Sequence, residues 1–319
     1  QQLLKTDRNG NLAKVMPFIV NWILSCKNKF SRYLLEKLFG IHKDAALPLY
    51  FGRTFEKLSN SFKNQVFESN TRKAVLYTTC FVNYNNPSIG EAAKNVLSKN
   101  GVEVKTVYPS CCGMPQLEQG DIGAVAKGAQ EISKELLQWV DRGYDVIALV
   151  PSCSLMLKFE WPLILPDDDN ILKLSNSTYD ICEYLVNMSK NEGLSEGLKR
   201  LEGDITLHLS CHSRAQNMGP QAAELLKLIP DTNIEVIERC SGHGGSWGIT
   251  KENFEVALKV GLPVARKANQ NKYNVIVSEC PLAREHIIQG VERLDDNFDS
   301  LGVIPAQHPI QLIAKAYGF

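Results

Sequence analysis

Six cysteines in two sets of three are the feature that most constrains the fold of this chain. Each of them follows a short apolar run rich in β-branched residues, as in KAVLYTTC and YNVIVSEC. The first set is Cys80, Cys111 and Cys153, and the second is Cys211, Cys240 and Cys280, at offsets of 131, 129 and 127 residues. The sequence therefore predicts one unit that occurs twice, with thiolate ligands that select zinc, copper(I) or iron–sulfur clusters.

Short apolar segments alternate with helical patterns between these cysteines. The predicted strands are 74–79, 102–107, 145–150, 205–209, 234–238 and 275–278, and the main predicted helices are 88–99, 120–139, 178–190, 221–228, 253–267 and 281–294. Such alternation is typical of parallel sheets covered by helices, and continuous apolar strands fit sheets buried on both faces. We predict an α/β fold with two pseudo-repeated, Rossmann-like parallel-sheet domains. They span 72–196 and 197–319 and follow a mostly helical N-terminal arm at 1–71.

This topology brings the cysteines together although they are far apart in the sequence. Ligands of open α/β sheets bind beyond the carboxyl ends of the strands. Every repeated cysteine lies at such an end. Three strands of one sheet therefore bring three cysteines to one edge, and no compact CxxC spacing is needed.

The charge balance argues against one class of partner. The 319 residues include 35 Lys and Arg and 35 Asp and Glu, so the neutral chain gives no electrostatic reason to expect nucleic acid. Residues 1–75 have 13 Lys and Arg against 5 Asp and Glu. This basic arm is either a solvated helical segment or a segment that docks to an acidic partner or a membrane surface. The apolar stretch 15–24 is about half as long as a bilayer crossing and predicts a packing or interfacial helix.

The cysteine count favours metal binding over disulfides. Nine cysteines are an odd number, and the long chain has no visible signal peptide, so we expect a reducing, cytoplasmic compartment. Cys26 and Cys182 lie outside the repeat and are predicted to be packing residues in helical segments. Because the chain begins with Gln rather than Met, we expect it to be processed or a fragment.

The first unit has enough thiolates for a complete cluster. Cys80, Cys111, Cys112 and Cys153 are four ligands, as a [4Fe-4S] cluster requires. Adjacent cysteines on a strand point to opposite faces. In a loop, Gly113 allows the backbone to turn so that both cysteines face one cluster. A structural zinc, a dithiol–disulfide couple and buried packing cysteines remain alternatives.

The second unit differs in its glycine-rich loop. The stretch 240–248 reads CSGHGGSWG, so Ser241 stands where the first unit has a second cysteine. Three thiolates remain, and His243 is the preferred fourth ligand, with His212 and His308 as alternatives. Either a second iron–sulfur cluster with one iron open to substrate, or a zinc or iron site with three cysteines and a histidine, fits this set.

These motifs resemble the cysteine-rich CCG domains. The resemblance runs from Arg72 to the C-terminus and rests on CCGMPQLEQGD, VPSCSLMLKFEWP, CHSRAQNMG and CSGHGGSWG. Such domains occur in the B subunit of heterodisulfide reductase, in the C subunit of anaerobic glycerol-3-phosphate dehydrogenase and in iron–sulfur subunits of glycolate and lactate oxidases. The resemblance implies iron–sulfur binding and electron transfer to or from a partner dehydrogenase, a quinone or a thiol substrate. A ferredoxin-like domain often precedes the CCG pair in these families, and no CxxCxxC run occurs in this sequence.

One departure from the pattern bears on the cluster type. The B subunit of heterodisulfide reductase has five cysteines per non-cubane cluster, with a CxxC motif at the end. Here Val150 and Met156 flank Cys153 at that spacing, and Val277 and Ala283 flank Cys280. An ordinary [4Fe-4S] cluster in the first unit fits this pattern better.

The sequence thus predicts an iron–sulfur electron-transfer subunit of an oxidoreductase, working between a flavoprotein dehydrogenase and a quinone or other carrier. The alternatives are a thiol–disulfide or peroxide-linked reductase acting at an open iron, and a zinc-stabilised interaction scaffold. The expected partners are a flavoprotein dehydrogenase or a ferredoxin-like subunit, but no nucleic acid. We expect a cytoplasmic protein, with peripheral contact at the inner face of the membrane as a further expectation.

Overall fold

The computed structural model of the chain describes residues 5–60, 72–270, 275–295 and 308–319. The predicted arm therefore lies partly outside the described residues, at 1–4 and 61–71. Four helices form the described part of the arm: α1 (Thr6–Ala13), α2 (Pro17–Leu24), α3 (Lys29–Phe39) and α4 (Phe55–Ser59). The mostly helical character of the arm is confirmed there.

The first sheet is parallel and has the strand order β2-β1-β3-β4. Its strands are β1 (Arg72–Tyr77), β2 (Val102–Val107), β3 (Asp145–Ala148) and β4 (Thr178–Asp180). The helices of this unit are α5 (Cys80–Tyr84), α6 (Pro87–Lys99), α7 (Met114–Glu118), α8 (Ile122–Val140), α9 (Pro151–Leu155), α10 (Trp161–Ile164), α11 (Asp169–Asn176) and α12 (Ile181–Asn191). A π-helical turn, Met156–Glu160, joins α9 to α10.

Strand β4 corrects the prediction of a helix over 178–190. Thr178 and Asp180 are buried, and their segment pairs with β3 instead of starting the helix. Helix α12 begins only at Ile181, because Asp180 caps it in a capping box with Glu183. A three-residue strand is too short to show a periodic signal in the sequence.

The second sheet is also parallel, with the order β6-β5-β7. Its strands are β5 (Ile205–His208), β6 (Ile234–Ile237) and β7 (Val275–Ser278). The helices are α13 (Cys211–Arg214), α14 (Gln221–Leu226), α15 (Phe254–Gln270), α16 (Pro281–Glu292) and α17 (Pro309–Ala316), and a 3₁₀ turn lies at Trp247–Ile249. The predicted α/β fold with two parallel-sheet units is confirmed. The boundaries at 71/72 and 196/197 stay predictions.

The largest apolar core joins the two units. It contains residues from β1 and α6 in the first unit and from β5 and α14 in the second, including Leu76, Val96, Leu207 and Leu225. Helix α17, which the sequence pattern did not predict, also packs against α6, and it places Leu312 in the same core. The units are therefore packed together through apolar surface.

The two cysteines outside the repeat have different environments. Cys182 is fully buried in α12, as its predicted packing role requires. Cys26 instead lies in the turn between α2 and α3 and is exposed, which corrects its prediction as a helical packing residue. Within the described ranges, no helix has the length and apolarity that a membrane crossing needs.

Candidate metal centre

Four cysteines lie at the carboxyl edge of the first sheet. Cys80 is the first residue of α5, just after β1, and Cys153 lies in the first turn of α9, after β3. Cys111 and Cys112 lie in the loop between β2 and α7. Since β1 is flanked by β2 and β3, the three strand ends are neighbours, and they bring these cysteines to one place.

The four side chains contact one another directly. The Sγ atoms of Cys112 and Cys153 are 3.2 Å apart. Hydrogen bonds from Cys112 and Cys80 hold the pKa of Cys111 well below its usual value. The hydrogen bond that Cys80 makes to Cys111, together with burial, raises the pKa of Cys80. All nine cysteines of the chain are free thiols. We call these four residues the first cysteine group.

Groups from distant parts of the chain hold the loop of this first cysteine group. Asp7 in α1 accepts a hydrogen bond from the backbone N–H of Cys111 at 3.0 Å. Trp161 is fully buried and donates from Nε1 to the carbonyl of Cys112 at 3.2 Å. Gly113 has φ 89°, a left-handed conformation that lets the chain turn directly after the cysteine pair.

The end of β1 also contacts this loop and is strained. Tyr77, its last residue, is fully buried and donates from its hydroxyl to the carbonyl of Ser110 at 2.6 Å. Thr79 has φ 62° and ψ 156°, a region that glycine favours, and its hydroxyl accepts a hydrogen bond from Val82 N–H. This backbone conformation directly precedes Cys80 and sets where its side chain begins.

Three cysteines lie at the carboxyl edge of the second sheet. Cys211 is the first residue of α13, Cys240 follows β6, and Cys280 caps the N-terminus of α16. Cys211 and Cys240 are exposed. Burial raises the pKa of Cys280 to about 11. We call these three residues the second cysteine group.

A buried histidine lies behind the second cysteine group. His208 is the last residue of β5, and its Nε2 lies 2.9 Å from the carbonyl oxygen of Arg239, next to Cys240. Its Nδ1 lies 2.8 Å from the hydroxyl of Ser278, and that hydroxyl accepts a hydrogen bond from Cys280 N–H. Burial lowers the pKa of His208, which favours its neutral form.

The three histidines predicted as ligands have different environments. His243 lines the same cavity as Cys280; its Nε2 is buried and has no hydrogen-bond partner among the described residues. Burial lowers the pKa of His243 to about 4, and His286, with its ring centroid 5.9 Å away, acts in the same direction. His212 lines this cavity too. His308 instead caps α17, where its Nδ1 accepts a hydrogen bond from Ile310 N–H.

The glycine-rich loop of the second unit packs tightly on α15. A Cβ atom at Gly242 would lie 2.0 Å from the carbonyl oxygen of Ala257, and one at Gly261 would lie 2.2 Å from that of Ser241. Such distances leave no room for a side chain on either glycine. These two glycines, one directly after Ser241 and one on α15, therefore allow the backbone that carries Cys240 to approach the helix.

An apolar cavity of about 600 Å³ borders both cysteine groups. Cys80, Cys112 and Cys153 line it from the first unit, and Cys280 lines it from the second. The arm closes one side with mostly apolar side chains, namely Leu12, Ala13, Val20, Leu24, Ile41, Leu47, Pro48 and Tyr50. Its volume lies in the range of small-molecule sites.

The donor chemistry of the first cysteine group fits an iron–sulfur cluster. It offers four soft thiols, and thiolates of this number are the usual shell of such clusters. The second cysteine group offers three thiols with His243 nearby, which is a mixed donor set. Among the described residues, no three His, Cys, Asp or Glu side chains are arranged to hold a single metal ion.

The comparison with protein families decides the assignment. The model of the cysteine-rich CCG domain matches residues 74–158 and again 205–283, which is just over half of the chain. The chain belongs to the CCG family. The first match covers most of β1 and all of β2 and β3, and the second covers the whole second sheet, so the resemblance predicted from the cysteine motifs is confirmed.

Several curated proteins are similar to this CCG chain. The C subunit of anaerobic glycerol-3-phosphate dehydrogenase from Escherichia coli K12 is 27% identical over 317 residues, which cover 98% of this chain and 76% of that protein. The B subunit of the CoM/CoB fumarate reductase from Methanothermobacter marburgensis is 24% identical, over 83% of this chain and 51% of that protein. An uncharacterised iron–sulfur protein of Methanocaldococcus jannaschii is 27% identical, over 78% of this chain and 47% of that protein.

Proposed function

We propose that this CCG chain is an iron–sulfur electron-transfer subunit of an oxidoreductase. The observation that carries the proposal is the convergence of four free thiols, Cys80, Cys111, Cys112 and Cys153, at one sheet edge. The proposal is supported by similarity to a dehydrogenase subunit, a reductase subunit and a protein described as an iron–sulfur protein.

The first cysteine group would hold a [4Fe-4S] cluster, which when bound supplies a one-electron redox centre. The protein around it fixes the ligands and limits access of water. Trp161 packs beneath Cys112, and α1 covers the loop through Asp7. Asp7 has a raised pKa because of its burial, while its hydrogen bonds from Tyr108 and Cys111 act in the opposite direction.

The second cysteine group would hold a second cluster, or a zinc or iron ion, through Cys211, Cys240, Cys280 and His243. The buried, unpartnered Nε2 of His243 supports a ligand role for this side chain. Its lowered pKa keeps the imidazole neutral, which is the form that binds metals. The exposure of Cys211 and Cys240 favours this group as the one that meets a partner or substrate.

The electron carriers are proposed from the cavity and from the relatives. A flavoprotein dehydrogenase partner would exchange electrons with one cysteine group, since the Escherichia coli relative is named as a subunit of a dehydrogenase. The apolar cavity between the groups suits a quinone or another apolar carrier on the opposite side.

The arm is proposed to make a peripheral contact with a membrane surface. Phe18 and Trp22 of α2 and Phe30 and Leu38 of α3 are 84%, 61%, 74% and 72% exposed. The surrounding arm is basic, and apolar side chains combined with Lys and Arg are typical of helices that lie in the interface of anionic membranes.

Anaerobic purification with iron, sulfide and zinc analysis tests the function. We expect iron and acid-labile sulfide in the wild type, and an EPR signal after reduction. Cys112→Ser should lose the iron of the first cysteine group, whereas Cys182→Ser, at an equally buried cysteine outside the groups, should keep it. Zinc without iron would rule out the proposal. An EPR signal that changes on adding a disulfide substrate would favour the reductase alternative.

Vesicle flotation tests the membrane contact separately. Phe18→Ser with Trp22→Ser should abolish binding to vesicles that contain anionic lipids and leave the iron content unchanged. Leu163→Ser, at a residue 76% exposed on α10 of the first unit, is the matched control and should bind normally. Equal binding by both variants would show that α2 does not dock.

A further inference from the structure

Each unit has one hydrogen bond that links its central strand to the loop carrying the middle cysteine. In the first unit, the hydroxyl of Tyr77 donates to the carbonyl of Ser110 at 2.6 Å. In the second unit, Nε2 of His208 lies 2.9 Å from the carbonyl of Arg239. Because a carbonyl oxygen only accepts, His208 must carry its proton on Nε2 and donate as Tyr77 does.

The two bonds occupy equivalent positions in the repeat. Tyr77 and His208 are 131 residues apart, which is the offset between Cys80 and Cys211. Their acceptors Ser110 and Arg239 are 129 residues apart, as are the cysteines that directly follow them. Two chemically different side chains thus make the same contact at the same place.

The strand register explains why this position reaches the loop. Tyr77 is the last residue of β1 and pairs with Val107 of β2 and Ala148 of β3. His208 is the last residue of β5 and pairs with Ile237 of β6 and Ser278 of β7. Each lies on the central part of its sheet, so its side chain can reach across to the chain leaving the neighbouring strand.

The second unit adds a further link that the first does not have. With Nε2 protonated, Nδ1 of His208 accepts from the hydroxyl of Ser278 at 2.8 Å, and that hydroxyl accepts from Cys280 N–H at 3.2 Å. The paired residue in the first unit is Ala148, which has no hydroxyl. His208 is therefore connected to the backbone beside both Cys240 and Cys280.

Both side chains are buried. Tyr77 is fully buried, and His208 is 1% exposed. Tyr77 also belongs to the same buried core cluster as Cys112 and Cys153.

We propose that Tyr77 and His208 are equivalent positioning residues, each of which fixes the loop carrying the middle cysteine of its own group. Each bond sets the ligand geometry of one cysteine group and leaves the other unchanged. The inference deepens the proposed function, and it rests on that function only for the spectroscopic readout described next.

Substitutions at both positions separate the bond from the bulk of the side chain. Tyr77→Phe keeps the ring and removes the hydroxyl. His208→Asn keeps a polar atom near the place of Nδ1 but cannot reach Arg239, whereas His208→Gln keeps an amide near the place of Nε2 and should restore the bond. Tyr144→Phe is the matched control, because the Tyr144 hydroxyl bonds to Glu103 at 2.6 Å in the same unit, away from the cysteines.

The reduced protein, prepared anaerobically, gives the first readout. We expect Tyr77→Phe to change the EPR signal and lower the iron content of the first cysteine group only, and His208→Asn to do so for the second only. Tyr144→Phe should match the wild type, and His208→Gln should restore the iron content of the second cysteine group relative to His208→Asn. Wild-type signals in both Tyr77→Phe and His208→Asn, or equal changes at both groups, would overturn the inference.

Metal-free protein gives a second readout that needs no cluster. Alkylation by iodoacetamide, followed by mass spectrometry, should be about 2- to 10-fold faster at Cys111 and Cys112 in Tyr77→Phe and at Cys240 in His208→Asn, as the loss of one hydrogen bond predicts. Unchanged rates would overturn the inference even if the wild type binds iron. Faster alkylation in these variants, combined with a wild type that binds no iron, would retain the inference and reject the proposed function.

Discussion

Gln216 of the second unit donates a hydrogen bond from Nε2 to the hydroxyl of Ser154 in the first unit, at 3.0 Å. Ser154 directly follows Cys153, and Gln216 lies just beyond the helix that begins at Cys211. Both side chains are buried. The contact therefore links the segment beside one cysteine group to the segment beside the other.

Ser154→Ala tests this buried link. Ser154 also donates to the carboxylate of Asp180 at 3.0 Å, so its removal leaves a buried carboxylate oxygen without this donor. We expect the free energy of unfolding to fall by about 1–3 kcal/mol in urea titrations. Ser189→Ala, on the half-buried face of α12, is the control and should change it by less than about 0.5 kcal/mol. Equal effects of the two substitutions would contradict a structural role of the Ser154 hydroxyl.

Asp180 should make the stability of the protein depend on pH. Burial raises its pKa from 3.8 to about 6. The folded state therefore keeps a proton that the unfolded state releases, and this contribution to stability is present below pH 3.8 and lost as the pH rises through about 6. Asp180→Asn keeps a good helix cap but does not titrate.

Urea titrations of both proteins from about pH 3.5 to about pH 7.5 cover the folded and unfolded pKa values of Asp180. Because the charge of Asp180 also raises the pKa of the buried Glu279, the difference between the two proteins includes this coupling. We expect the stability of the wild type relative to Asp180→Asn to fall by roughly 3 kcal/mol across the window, since one pKa unit corresponds to about 1.4 kcal/mol. A constant difference between the two proteins would show that the pKa of Asp180 is not raised.

The sequence predicts the edge where the cysteines meet, because that edge follows from local patterns. Apolar runs mark the strands, and parallel topology places their carboxyl ends together, so Cys80, Cys111 and Cys153 could be assigned to one group before any coordinates. The repeat offset also contained the signal for Tyr77 and His208, although no pattern indicated which carbonyls they contact.

The remaining features depend on contacts between distant residues. Asp7 lies 104 positions before Cys111 and carries no motif. Trp161 donates to the backbone carbonyl of Cys112, and since every residue has such a carbonyl, the sequence does not indicate this partner. The capping role of His308 emerges only with α17, and the three-residue strand β4 forms because β3 offers it a partner. Such contacts are set by tertiary packing and not by local periodicity.

Glycine and alanine at position 79, in place of Thr79, should change the free energy of unfolding in opposite directions. Its backbone conformation costs about 1–3 kcal/mol in a residue other than glycine. Thr79→Gly relieves that strain and loses only a few tenths of a kcal/mol as a helix cap, so we expect the free energy of unfolding to rise by about 1 kcal/mol. Thr79→Ala keeps the backbone strain and loses the helix cap, so its free energy of unfolding should fall by about 0.5–2 kcal/mol. Destabilisation of similar size in both variants would argue against the strain.

Gly261 should reverse the usual effect of alanine in a helix. Alanine in place of glycine in an exposed helix normally stabilises by about 0.5–1 kcal/mol. Gly128→Ala in α8 should follow this rule, because nothing lies within 4 Å of the added Cβ atom. Gly261→Ala places that atom 2.2 Å from the carbonyl oxygen of Ser241, so the loop must move away from α15. We expect destabilisation of more than about 2 kcal/mol and faster alkylation of Cys240. Similar melting temperatures for the two variants would mean that the loop does not depend on this close approach.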